Sequence, residues 1–196
     1  MTATATPFGL RPVYHLGGGI IRPVQQTIPS GYASNIYQFS PVGMTAAGVV
    51  ALAPAAGTGA TGACGVFMGC EFTDTAGRRQ YRNTWPASTV AADAIAYITM
   101  DPQIAYEVQA DGVATIPALT EISAGYNWTA NGSANGNTTT GISSVALSGT
   151  TISTAAAKDM QVIDIARYVD NAFGDTFPIV IVRLGNHQFL TSPVAF

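Results

Sequence analysis

The residue types that most often perform chemistry are few and scattered in this sequence. Its two histidines, His15 and His187, stand near opposite ends of the chain. Metal centres need several His, Cys or carboxylate ligands brought together, and an isolated histidine is more often a hydrogen-bonded structural residue. We therefore predict structural histidines, no metal and no other cofactor.

The two cysteines, Cys64 and Cys70, lie six residues apart in the apolar segment CGVFMGC. That segment is typical of a β-strand, along which six residues span about 20 Å. A disulfide requires the two Cα atoms to lie within about 7 Å. We therefore expect two reduced, buried thiols.

No motif indicates catalysis. The string Gly57–Gly62 satisfies G-x-G-x-x-G, but the next element is a strand rather than a helix, so a glycine-rich turn is the better interpretation. Asp170–Asp175 lacks the terminal Glu of a calcium loop and is interpreted as a tight connection. No nucleophile elbow, Ser-x-x-Lys or Walker loop occurs. We predict that the protein is not an enzyme. The enzymatic alternative, a polysaccharide depolymerase, requires two carboxylates paired at a cleft, and no such pair is evident in the sequence.

Charge excludes several classes of partner. Charged residues make up 10% of the 196 residues and the formal net charge is −3, whereas ordinary domains carry about 25% charged residues. Without a basic field, nucleic acid is not expected as a partner. The N-terminus has no signal-peptide pattern, and Pro and Gly interrupt the long uncharged stretch 23–70, so no membrane partner is expected.

Three of the seven arginines, Arg78, Arg79 and Arg82, lie in one short segment beside Tyr81 and Trp85. Such a segment is either a solvated loop or a contact patch. In the second case the guanidinium groups would bind carboxylates of a protein partner, with the aromatic residues at the centre of the interface.

Residues 1–35 are predicted to form an extended N-terminal arm. Four prolines and a Gly17–Gly19 run separate single large apolar residues in this segment. Proline disfavours helix at the preceding residue, so the segment cannot build a core of its own. It lies on a partner or on a neighbouring subunit, or it packs on its own domain, or it is disordered.

Residues 36–196 are predicted to form one β-rich domain, with a β sub-domain or hairpin excursion at 121–157. The pattern predicts an all-β fold with little helix. The expected architecture is an antiparallel β-barrel or β-sandwich, of which a β-tulip-like fold is one form. One segment, Ser88–Ala96, could be a helix. The predicted strands are Ile36–Phe39, Val49–Leu52, Cys64–Phe72, Gln80–Trp85, Ala94–Met100, Ile104–Gln109, Gly141–Leu147, Met160–Val169 and Phe177–Leu184.

Two details of this pattern bear on the site. In Ile104–Gln109 the even positions are apolar while Glu107 and Gln109 point the other way, which is typical of a half-buried strand. The segment 124–140 is polar and uncharged, and its Asn131-Gly132 and Asn135-Gly136 pairs suit type I′ turns. We expect a loop or hairpin tip there.

Three separated segments resemble a family of small structural proteins of tailed-bacteriophage heads. The first is PFGLRPVYHL (Pro7–Leu16), the second is DPQIAYEVQAD (Asp101–Asp111), and the third is VIDIARYVDNAFG (Val162–Gly174), which is followed by NHQF (Asn186–Phe189). Their order is shared over nearly the whole chain. The sequence differs from the family at Tyr14, where a basic residue is common.

The resemblance implies a capsid decoration, or cement, protein. Such a protein is made in the host cytoplasm and binds the outer surface of the major capsid protein lattice. It also associates with itself as a trimer or a dimer, and the trimer is favoured if it sits at three-fold positions. The residues expected to contact the shell or a neighbouring copy are Phe8, Leu10, Arg11 and Tyr14, with Arg78, Arg79 and Arg82 as a second patch.

One alternative is a phage tail, fibre or adsorption protein. Such proteins are also β-rich and rich in Gly, Thr and Asn. That function predicts aromatic platforms for host-surface glycans near the loop 127–140.

Overall fold

The computed structural model describes residues 4–54, 62–113, 118–153 and 158–190. Strands make up 42% of the structure and helix 2%, so the prediction of an all-β fold is confirmed. The glycine-rich string Gly57–Gly62 lies outside the described residues except for Gly62. No helix in the described ranges is long and apolar enough to cross a membrane.

The first sheet, called sheet A, has six antiparallel strands. Their order is β1 (Arg11–His15), β10 (Ile104–Gln109), β16 (Ile179–Leu184), β15 (Met160–Ile165), β11 (Gly125–Trp128) and β14 (Leu147–Ser153). A bridge from Leu147 to Ala110 brings the outer strand β14 back to the end of β10. Sheet A therefore curls around its concave side.

The second sheet, called sheet B, is also antiparallel and is built from residues 24–99. Its order is β2 (Val24–Thr27), β9 (Ile95–Thr99), β6 (Gly65–Thr73), β4 (Pro41–Met44) and β5 (Val50–Leu52), with β7 (Arg79–Arg82) paired to β6. Two short pairs complete the fold, β3 (Ile36–Tyr37) with β8 (Thr84–Trp85) and β12 (Gly136–Asn137) with β13 (Ile142–Ser143).

Each sheet covers its own hydrophobic core. Tyr106, Tyr126 and Leu147 are among the fully buried side chains on the concave side of sheet A. The core against sheet B is centred on Trp85, whose ring meets Phe72 edge-on with 5.2 Å between centroids. A fully buried large side chain contributes about 1.5–3 kcal/mol, so these aromatic residues account for much of the stability of the fold.

The prediction of a helix at Ser88–Ala96 is wrong. Ser88 has a φ of +59°, which is incompatible with a helix, and its N–H donates to the Tyr32 carbonyl at 2.7 Å. Val90, in the middle of the segment, is 65% exposed. The end of this segment instead enters strand β9, because its apolar residues pair with those of β6.

The N-terminal segment is extended but packs on its own domain. Strand β1 pairs with β10, and strand β2 pairs with β9. Leu10 is fully buried in the core of sheet A, and its N–H donates to the Phe39 carbonyl at 2.9 Å. Among the alternatives that the sequence left open, the structure therefore has the segment packed on its own domain rather than extended away from it.

The segment 121–157 contributes strands β11 and β14 to sheet A, with the β12–β13 hairpin between them. The expected type I′ turns are absent from this described loop. Such turns need positive φ at both central residues, and neither Asn131 nor Asn135 has it. Asn131 instead clamps the loop to sheet B, since its amide donates to the carbonyls of Pro41 (2.8 Å) and Ala53 (2.6 Å).

Candidate functional site

The three segments that resemble phage head proteins meet on the convex side of sheet A. Each contributes one polar residue to a single cluster, Arg11 from β1, Glu107 from β10 and Tyr168 from the chain after β15. Arg11 and Glu107 are direct register partners on neighbouring antiparallel strands. We call these three residues the Arg11 cluster.

The Arg11 cluster is fully connected by hydrogen bonds. The Arg11 guanidinium forms an ion pair with Glu107, in which Nε donates to Oε2 at 3.2 Å. The Tyr168 hydroxyl accepts from Arg11 at 2.9 Å and donates to the Glu107 carboxylate at 3.0 Å. The hydrogen bond to Glu107 raises the pKa of Arg11, and burial together with Glu107 raises the pKa of Tyr168. Arg11 and Tyr168 therefore stay protonated and compensate a carboxylate that has lost most of its water.

Strand β10 is buried on both faces, which corrects the expectation of a half-buried strand. Glu107 is 7% exposed and Gln109 is 2% exposed. The N-terminal segment and the chain after β15 cover the second face. The Gln109 side chain holds the N-terminal segment directly, accepting from the Thr6 N–H at 2.7 Å and donating to the Thr4 carbonyl at 3.0 Å.

Phe8 and Leu10 take opposite positions around Gly9. Phe8 is partly exposed, and the Arg11 guanidinium lies 5.1 Å from the centre of its ring. Leu10 points into the core, so its predicted role as a contact residue is wrong, because a fully buried side chain has no surface to offer. Gly9 makes this reversal with a φ of +77°. Tyr14 is 39% exposed and remains a surface residue.

A shallow cleft of about 700 Å³ lies beside the Arg11 cluster. Its lining includes Phe8, Arg11 and Gln109 on one side and Tyr168 and Val169 on the other. Val169 is fully exposed at the rim. The chain that carries Tyr168 and Val169 is fixed by Asn171, whose amide donates to the carbonyls of Ala166 and Ile179, both at 2.7 Å.

The second predicted patch lies on the β6–β7 hairpin of sheet B, and most of its charge is already used. Arg78 pairs with Asp74 at 3.0 Å. Arg79 pairs with Glu71 at 3.0 Å and Asp93 at 2.6 Å. Arg82 has no ion pair within the described ranges.

The two aromatic residues of the second patch differ in exposure. Tyr81 is 72% exposed, whereas Trp85 is fully buried and cannot contact a partner. An exposed patch at this place therefore consists of Tyr81 and Arg82 rather than of three free guanidinium groups beside two aromatic rings.

The histidines have structural environments. His15 Nδ1 accepts from the N–H groups of Gly17 (3.0 Å) and Gly19 (3.2 Å), while Nε2 bonds Asp101 at 2.9 Å. His187 is fully buried, and its Nδ1 accepts from the Phe189 N–H at 3.2 Å. Burial lowers the pKa of His187. Within the described residues, no group of three or more His, Cys, Asp or Glu could hold a metal ion.

Both cysteines are free and buried in or beside strand β6, as the strand spacing predicted. Burial raises the pKa of each thiol to about 12. Near neutral pH the reactive thiolate form is therefore scarce in the folded protein.

The aromatic residues at the asparagine-rich loop are also internal. Tyr37 donates from its hydroxyl to the Ser133 carbonyl of this loop at 3.0 Å and is 1% exposed, and Tyr126 and Trp128 before the loop are 0% and 2% exposed. None of these three rings can serve as the glycan platform that the tail-protein alternative predicted at this loop.

Comparison of the chain with known proteins gave no match. No protein-family model, no curated protein and no solved structure matches it.

Sequence reasoning identified Arg11 and missed its partners. Glu107 was interpreted as a solvated residue, and Tyr168 was not singled out. The shared order of the three segments was the available signal, because each segment carries one member of the Arg11 cluster.

Proposed function

We propose that the chain is a structural protein of a tailed-bacteriophage head, a decoration protein that binds the outer surface of the major capsid lattice and stabilises the head. The observation that carries the proposal is the Arg11 cluster. Arg11 and Glu107 are 96 residues apart in sequence, and Glu107 and Tyr168 are 61 residues apart. Their contacts nevertheless bring together all three segments that resemble head proteins. A motif set that meets in space supports a fold shared with that family more strongly than three unrelated strings would.

The surface that fits this role is carried by the N-terminal segment. Five large apolar residues in 13–24 are 39–77% exposed, and Arg22 is the only formal charge among these twelve residues. We call them the N-terminal apolar surface: Val13, Tyr14, Leu16, Ile20 and Val24. Partly exposed Phe8 and Arg11 lie at the start of this segment.

Such a surface suits repeated binding to a lattice. Each copy presents several exposed apolar side chains within twelve residues, and exposed apolar surface beyond scattered single residues commonly marks an interaction site. Contacts that are weak singly become strong when linked copies bind neighbouring sites, because the second event is intramolecular. The proposed partner is the major capsid protein, together with other copies of this chain.

The N-terminal segment cannot be tested by deletion, because removing residues 1–22 would remove strand β1 and the buried Leu10. Single charges on the surface are the sharper change. We propose adding wild-type protein, Ile20→Asp and the control Val90→Asp to heads that lack the chain, and counting bound copies per head. Val90 is 65% exposed in the segment before β9 of sheet B. Ile20→Asp should reduce occupancy at least tenfold and Val90→Asp should not.

A second measurement compares the heat stability of heads with and without the bound protein. Heads with bound wild-type protein should withstand heating that opens heads without it. Equal heat stability of the two kinds of head, unchanged occupancy with Ile20→Asp, or recovery of the chain only in tail fractions would each contradict the proposal.

A further inference from the structure

The free edges of the two sheets differ in how they are protected against pairing with another strand. Natural proteins block such edges with proline, bulges, charges or covering groups. Strand β1 has Pro12 and a bulge between Pro12 and Tyr14. Strand β7 carries Arg79 and Arg82, and strand β5 has its Leu52 N–H capped by the Tyr32 hydroxyl at 3.0 Å.

Strand β14 is covered at one end by the turn after β10. The Leu147 carbonyl accepts from the Asp111 N–H at 2.9 Å, and the Gly149 N–H donates to the Asp111 carboxylate at 3.0 Å. The outer strand of sheet A is therefore capped by side-chain and backbone groups of its own chain.

Strand β2 has none of these protections among the residues that the structure describes. Its four residues, VQQT, contain no charge and no proline. Its register with β9 runs without a bulge from Val24↔Ile98 to Thr27↔Ile95. Val24, Gln25 and Thr27 are exposed. An unblocked, regular and neutral edge is the arrangement that strand pairing requires.

The register shows which backbone groups face outward. The Ile28 N–H donates to the Ala94 carbonyl at 3.1 Å, which makes Ile28 and Ala94 a hydrogen-bonded pair. Because hydrogen-bonded and non-hydrogen-bonded pairs alternate in an antiparallel ladder, Gln26 also bonds β9. Gln25 and Thr27 then direct their N–H and C=O groups away from the sheet.

We propose that β2 pairs antiparallel with β2 of a second copy of this chain across a two-fold axis. Gln25 of one copy then lies opposite Thr27 of the other, and the two Gln26 residues face each other on the axis. This register forms four backbone hydrogen bonds and uses every outward group of Gln25 and Thr27. It joins the two copies of sheet B into one continuous sheet.

The residues that flank β2 favour this register. Pro23 of one copy lies opposite Pro29 of the other, so neither proline removes an N–H that its partner needs. A register shifted by two residues would place a proline opposite Gln25 or Thr27 and lose donors. Arg22 lies opposite the neutral Ser30, so the two-fold brings no like charges together. These features identify a second copy as the occupant, and the inference does not depend on the proposed function.

The first test changes one outward N–H. In Thr27→Pro the outward donor is lost while the inward bonds to β9 remain, and proline is tolerated at an outward edge position. Thr27→Val is the control, since it keeps the N–H and a β-branched side chain. Sedimentation equilibrium of the full chain should show a dimer for wild type and Thr27→Val, and at least tenfold weaker dimerisation for Thr27→Pro, with circular dichroism confirming that all three fold.

The second test is a crosslink on the axis. A non-hydrogen-bonded antiparallel pair has Cα atoms about 4.5 Å apart, within the range for a disulfide, so Gln26→Cys should form a dimer that reducing agent reverses. The two Thr27 residues would be about 9 Å apart, so Thr27→Cys should crosslink poorly.

Four outcomes overturn the inference. The first is a monomer at all concentrations, which would leave the edge free for a strand of another protein. The second is a trimer. The third is dimerisation of Thr27→Pro equal to that of wild type, and the fourth is crosslinking through Thr27→Cys in preference to Gln26→Cys.

Discussion

Arg11 and Glu107 lie directly opposite each other on strands β1 and β10, and the guanidinium compensates a carboxylate that is 7% exposed. The pair joins the edge strand β1 to β10, the next strand of sheet A. Its geometry explains how a segment that lacks a core of its own is held in place. The same pair provides the most direct test of the candidate site.

Replacing Arg11 should destabilise the protein more than replacing another paired arginine. Arg11→Met leaves the Glu107 carboxylate buried without its counterion, which costs about 1–3 kcal/mol. Arg167 is the control, because its pair with Asp164 (3.0 Å) is largely exposed and such pairs contribute about 0–1 kcal/mol. Urea unfolding of both Met variants measures the difference, and equal losses would show that the Arg11 cluster contributes no more than a surface ion pair.

Gly9→Ala should be far more damaging than Gly18→Ala. Both glycines have positive φ, +77° and +76°, so both variants incur the left-handed penalty of about 1 kcal/mol. A Cβ at Gly9 would also lie 2.5 Å from the Phe39 carbonyl oxygen, whereas nothing lies within 4 Å at Gly18. Thermal unfolding should therefore show a loss of several degrees for Gly9→Ala beyond that of Gly18→Ala. Similar melting temperatures would contradict the close approach.

The free energy of unfolding should fall on acidification, because His187 binds a proton more readily in the unfolded chain than in the folded protein. Burial holds the pKa of His187 below its ordinary value. Hydrogen bonds to the backbone of Met100 and Cys64, and to a lesser degree the charge of Asp101, oppose this shift only in part. The unfolded chain binds the proton first, so stability is complete above about pH 6.5 and is lost below it, by up to about 1.4 kcal/mol per pH unit. His187→Asn keeps an acceptor for the Phe189 N–H but cannot titrate.

Urea unfolding at pH 7.5 and 5.5 measures this dependence. The loss between the two pH values should be smaller in His187→Asn than in wild type. An identical loss in both proteins would assign the acid sensitivity to other groups.

Cys64 and Cys70 should be unreactive in the folded protein. Both thiols are buried and their pKa values are raised to about 12, so access and thiolate content are both low. Ellman's reagent should label neither thiol rapidly in buffer and both in denaturant. Prompt labelling of the native protein would show that β6 opens locally.

The sequence predicted the strands that are long runs rich in apolar residues and missed strands in which proline interrupts the pattern. The predicted Cys64–Phe72 corresponds to β6 (Gly65–Thr73), and Ile104–Gln109 corresponds to β10. Strand β1 was missed because Pro12 and the bulge interrupt its pattern. Strand β4 was missed because it begins at Pro41, a position where a sheet tolerates proline.

The candidate site could be predicted only in part. Arg11 and Phe8 lie in a segment that resembles phage head proteins, so the sequence singled them out as candidates. That Leu10 points inward depends on the positive φ of Gly9, which a string of letters does not reveal. The pairing of Arg11 with Glu107 depends on a register across 96 residues, and local patterns carry no information about it.

The order of strands in sheet A also sets when the protein can fold during synthesis. Sheet B uses only residues 24–99, so its strands can pair while the rest is still being made. Strand β1 is made first, but its partner β10 lies between it and β16, which ends at Leu184. At about 5–20 residues per second, roughly 10–30 s pass between the synthesis of Leu10 and the synthesis of β16. During this interval the Leu10 side chain has no complete core to pack into, and chaperones or other nascent copies can bind it.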